Sequence, residues 1–160
     1  MTNDPSRPLP AFFLRWRAEW GESAADWTPT DFLNQDAGLA ATIAAGWLFN
    51  PPTVRYRDAV FLAERFAGAV VDEWFERYPD EPGRIESVVN GVALYDFFAN
   101  SDTAPYEDAL PRLAADIGAC WQGVLTERYP DLEIQVEVTD GTDSAEYGPS
   151  VTFWTRPRGR

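Results

Sequence analysis

The chain has 160 residues and a formal net charge of −13, built from 26 acids and 13 arginines, with no lysine and no histidine. Without imidazole, Ser-His and Cys-His nucleophile systems are excluded; without lysine, so are the phosphate-binding loop and Schiff-base chemistry. A lone cysteine, Cys120, excludes an internal disulfide and the usual structural zinc sites.

The acidity is spread along the chain. Residues 1–50 hold three Arg against six acids, residues 51–100 five against nine, and residues 101–160 five against eleven. This distribution argues against binding nucleic acid, which needs a basic footprint, and against anionic membrane surfaces. It permits a basic protein partner reached by electrostatic steering. The exclusive use of Arg fits a GC-rich, bacterial genome. Seven Trp, ten Phe and six Tyr supply ample material for a core, and the length suits one domain.

Residues 1–10, with three prolines, are expected to form an extended arm ahead of a single globular domain over residues 11–157. This start has no basic segment followed by an apolar stretch. The apolar run Ala11–Leu14 is too short for a signal sequence, so a cytoplasmic location is expected. Leu9, Phe12, Phe13, Trp16 and Trp20 recur at helical spacing and predict a first helix ending before Gly21. Thr28-Pro29 is a helix-start pair and opens a second helix from about residue 30 to Phe49, carrying Phe32, Leu33, Leu39, Ile43 and Trp47. Its stretch from Ala37 to Phe49 is about half a membrane span and reads as a buried core helix. Asn50-Pro51-Pro52 stops it.

A third helix is predicted from about Arg55 to Tyr78, with Ala59, Ala63, Phe66, Val70, Trp74 and Phe75 among its apolar stripe. For residues 84–98 the β-branched content and Asn90-Gly91 favour a hairpin, although Ile85, Val88, Val89 and Val92 also fit a helix. Leu110, Leu113, Ala114, Ile117, Trp121 and Leu125 define a further helix with Pro111 in its first turn and Asp108 as its cap. Cys120 reads as a small buried hydrophobe on it. Leu132, Ile134, Val136 and Val138 alternate with Glu133, Gln135, Glu137 and Thr139, the period of a strand with one wet face. Ser150–Arg156 returns as its partner.

The expected fold class is therefore α+β: about four helices packed on a small antiparallel sheet built mainly from the C-terminal third. Asp72, Glu73 and Glu76 share one helix, and Asp72 and Glu76 one face of it. Such carboxylates hold magnesium only if a second helix adds more acids. The Asp140–Glu146 segment lacks the EF-hand spacing, and no metal or other cofactor is expected. Trp154 and Arg156 fall on the strand face shared with Glu133 and Glu137. A Trp beside an Arg on a polar sheet face suits a protein partner unless a helix covers it. The functional expectation is a non-enzymatic acidic protein-binding module, of inhibitor or immunity type, for a basic partner. The candidate contacts are Asp72, Glu73, Glu76, Glu133, Glu137, Trp154 and Arg156. The alternatives are a metal-dependent hydrolase using helix-borne carboxylates and an acidic nucleic-acid mimic.

Overall fold

The computed structural model describes residues 8–143 and 147–157. The expected arm up to residue 7 and the loop residues 144–146 lie outside them. The fold is α+β, with a two-stranded and a three-stranded antiparallel sheet. Strands β4 (Leu132–Thr139) and β5 (Ser150–Pro157) pair with Ile134 opposite Thr155 and Gln135 opposite Trp154. The two-residue strand β3 (Val92–Ala93) lies on the other edge of β5.

Helix α7 (Leu110–Arg128) packs on this sheet because Leu110, Ala114, Ile117, Trp121 and Leu125 fall on one face of it. They are buried with Leu132, Ile134, Val151 and Phe153. Gly118 sits mid-helix, where glycine costs about 1 kcal/mol relative to alanine. A Cβ there would collide with the Val138 side chain, so its absence lets α7 settle on β4. The Trp121 indole N–H donates to the Leu48 carbonyl at 2.9 Å, and its ring meets Phe153 edge-on at 5.8 Å. Asp108 does not cap α7. The N-cap is Ala109, and the Asp108 carboxylate instead accepts the Ala11 N–H at 2.9 Å. Cys120 is exposed, not buried.

The first helix appears as α1 (Ala11–Glu19), its Phe13 and Trp16 buried. Thr28 and Pro29 start a helix as expected, and the Thr28 N–H and hydroxyl both donate to Asp31. That helix is not continuous. It is divided into α2 (Pro29–Phe32), a wide turn over Leu33–Ala37, and α3 (Gly38–Phe49), with Gly38 at φ 73°.

Two further expectations are corrected. Residues 55–78 are not one helix. They form β1 (Thr53–Tyr56), β2 (Ala59–Leu62) and α4 (Gly68–Arg77). All four residues of β2 are buried: Val60 and Leu62 enter the core under α7, while Ala59 and Phe61 enter a second core with Val71, Phe75 and Ile85. A strand buried on both faces loses the polar alternation that would distinguish it from a helix. The tight turn between β1 and β2 puts Arg57 at φ 54°. Asp72 holds it there, accepting from Arg57 at 2.6 Å and from the Tyr56 hydroxyl at 2.8 Å.

Residues 84–98 are not a hairpin either. They contain most of α5 (Pro82–Val89), then β3 and α6 (Leu94–Phe97). Asn90 is the C-cap of α5, and its side chain is taken into the interior.

That side chain and Glu86, one helical turn earlier, join the two sheets. Glu86 accepts the Val60 N–H at 2.7 Å, the Thr155 N–H at 2.9 Å and the Thr155 hydroxyl at 2.7 Å. Asn90 accepts the Leu62 N–H at 2.9 Å and donates to the carbonyls of Val60 and Phe153 at 2.9 and 3.1 Å. Both residues are fully buried. Burial pushes the Glu86 carboxyl above its ordinary value, against the pull of the Val60 and Thr155 donors.

Glu86→Ala leaves two buried N–H groups without an acceptor. The expected loss is roughly 2–6 kcal/mol at about 1–3 kcal/mol per orphaned group, read from urea melts. The pH dependence has a defined sign. An acid whose folded value is raised holds its proton longer in the folded chain. Its contribution to stability therefore falls as pH rises from the unfolded value near 4.5 through the raised value, and is level above it. In Glu86→Gln that decline disappears, so the gap between wild type and variant should narrow with pH across this window. A gap that widens contradicts the assignment.

Trp121 and Trp74 both lie on apolar helix stripes in the sequence, but Trp74 is only half-buried, beside Tyr78. Trp121→Ala should cost roughly 3–5 kcal/mol and Trp74→Ala less than half of that. Equal losses in urea melts contradict the difference in burial.

Candidate functional site

The register places Arg156 opposite Glu133, Trp154 opposite Gln135, and Thr152 opposite Glu137. These six side chains share one face of the β4–β5 ladder, as period-two alternation requires, while Val151, Phe153 and Thr155 are buried on the other. The start of α5 lies against this face and forms with it a groove of about 620 Å³. Two contacts join the helix to this face. The Thr152 hydroxyl donates to the Ser87 carbonyl at 2.6 Å. At Gly83 an added Cβ would stand 3.2 Å from Cδ1 of Trp154, so the helix rests its first turn on the indole edge. Trp154 is consequently half-buried: α5 covers part of it and the groove exposes the rest.

The groove is polar around this indole. Asp80, Glu81 and Glu137 contribute carboxylates and Arg84 and Arg156 contribute guanidinium groups. Arg84 is held by Glu81 at 3.0 Å and lies over the Tyr78 ring at 5.0 Å. Glu133 lies on the same sheet face and accepts from Gln135 Nε2 at 2.7 Å.

The structure thus brings Glu133, Glu137, Trp154 and Arg156 together. It does not bring Asp72, Glu73 or Glu76 to them, since none of the three lines the groove. Asp72 is engaged by Tyr56 and Arg57, and Glu73 and Glu76 are exposed on α4. Among the described residues no three His, Cys, Asp or Glu side chains converge as a metal-holding group. Asp140 closes a local turn, accepting from the Thr142 N–H at 3.0 Å and hydroxyl at 2.7 Å, and these bonds hold its carboxyl below the ordinary value.

A second surface was not foreseen. Helix α3 was expected to be buried, yet none of its twelve residues is buried. Leu39, Ile43 and Trp47 are 76, 60 and 66% exposed. The helix carries no charged residue. Beside it runs a mainly apolar groove of about 770 Å³, bounded by Ala44, Trp47, Leu48, Pro51, Phe98 and Trp121, with Glu64 its one charged lining residue. The sequence signal for this face is the presence of two apolar arcs on one helix. At 100° per residue Leu39, Ile43 and Trp47 form one arc, with Leu48 and Phe49 opposite. Leu48 and Phe49 pack on the core, which leaves the other arc outside. None of the helices among the described residues is long and apolar enough to cross a membrane.

Comparison with known proteins finds no matching family, no curated relative and no matching solved structure.

EDTA is expected to leave the melting temperature unchanged, because a bound ion that held the fold would raise the midpoint. A drop of several degrees in a thermal melt contradicts this and favours the hydrolase alternative.

Proposed function

We propose that this chain is an acidic protein-binding module that receives a basic partner in the groove between α5 and the β4–β5 face. The supporting observation is the half-exposed Trp154 in a groove whose three acids, Asp80, Glu81 and Glu137, outnumber its two arginines, Arg84 and Arg156. A rigid indole in a partly desolvated recess is the usual form of an interface anchor, with charged rim residues setting encounter and orientation. The net charge of −13 extends the attraction to a basic partner beyond the groove itself. The helix-borne carboxylate alternative gains no support, since Asp72 is already committed to Tyr56 and Arg57.

The test is a titration with an arginine-rich peptide, followed by intrinsic fluorescence. Trp154→Ala should weaken binding by at least about 2 kcal/mol, or about 30-fold. Glu22→Gln, an exposed charge on the 3₁₀ turn Gly21–Ala24, should change it little. Equal weakening by both variants would mean bulk charge attraction without a site.

A further inference from the structure

We propose that the outer face of α3 is a homodimer interface, occupied by the same face of a second copy of this chain around a two-fold axis. Three observations carry this.

The first is the shape of the face. Leu39, Ile43 and Trp47 recur every four residues and form a ridge. Small residues flank it: Ala40 and Ala44 on one side, Gly46 on the other, all exposed. An added Cβ at Gly46 would meet nothing within 4 Å. A ridge of large side chains beside rows of small ones is self-complementary, so the ridge of one copy fits the rows of the other. This is what an isologous contact requires.

The second is charge. The chain carries −13, yet the twelve residues of α3 carry no charge at all. The one hydroxyl of the helix, Thr42, donates to the Gly38 carbonyl at 3.0 Å, so it needs no partner from outside. A basic protein would find nothing to pair with on this face. A second copy would meet an equally neutral surface.

The third is area. At the observed exposures Leu39, Ile43 and Trp47 offer on the order of 450 Å², and the exposed small residues add roughly 200 Å². Two copies together would bury on the order of 1,300 Å², inside the ~1,200–2,000 Å² range of specific interfaces. The adjoining apolar groove extends the surface that the partner's ridge can reach.

The salt dependence separates this contact from the one at Trp154. Two copies of an acidic chain repel, and salt screens the repulsion, so the dimer should tighten as salt rises. Capture of a basic partner should weaken under the same change. The experiment is sedimentation velocity on the full chain at low and high salt over a concentration series. The expected species has twice the chain mass of 18.0 kDa. Ile43→Glu, an exposed change that leaves both cores intact, should give a monomer with an unaltered far-ultraviolet circular dichroism spectrum. As a second readout, the share of tryptophan fluorescence open to iodide should rise in Ile43→Glu, and that rise should vanish when Trp47→Phe is added to both chains. A wild-type chain that is monomeric at all concentrations overturns the proposal. So does a dimer that survives Ile43→Glu. A monomeric chain that floats with neutral phosphatidylcholine vesicles through Trp47 also overturns it and assigns the face to a lipid surface.

Discussion

The fold depends on two side chains doing the work of a strand. β2 and β5 belong to different sheets, and each has an edge with backbone donors and acceptors that no strand satisfies. Glu86 and Asn90 reach both edges at once. The spacing explains why a helix can do this. Four residues of helix rise about 6 Å, and two residues of strand about 6.6 Å. Residues i and i+4 on α5 therefore match the repeat of the outward-facing backbone groups at Val60 and Leu62 and at Phe153 and Thr155. A carboxylate is suited to the Glu86 position because it only accepts, and three donors point at it. An amide is suited to position 90 because one N–H group and two carbonyls meet there.

This junction sets the arrangement of everything around it. It holds α5 beside β5, and so places Gly83 and Ser87 over the wet face of the sheet, creating the groove at Trp154. It also fixes β2 between two cores, one under α7 and one against α4 and α5. The molecule presents two surfaces of opposite character: a polar groove with an indole within it, and the uncharged outer face of α3. Under the two proposals, attraction of a partner to the first would weaken with salt, whereas apolar burial at the second would not.

Where one face of an element is wet, the sequence was legible. Glu133, Gln135 and Glu137 mark the outside of β4, so the strand, its partner and the face holding Trp154 could all be assigned from period two. The same holds for α1 and α7. Where both faces are buried, the pattern fails, and Ala59-Val60-Phe61-Leu62 passed for part of a helix. Asn90-Gly91 misled for a different reason. It has the composition of a turn, but the asparagine amide was needed inside the protein and the pair ends a helix. Apolarity alone also could not tell which arc of α3 meets the core. The partial cover over Trp154 was illegible because it depends on a glycine, Gly83, that joins the face only through tertiary packing.

The borrowed ladder changes how the protein breathes. The amides of Val60 and Leu62 point away from β1 and are protected by α5, as is the amide of Thr155. Lifting this one helix would bare all three to solvent, although they lie in separate parts of the chain. Hydrogen exchange at these three amides is then expected to follow a single local opening, with a short helix as their common latch.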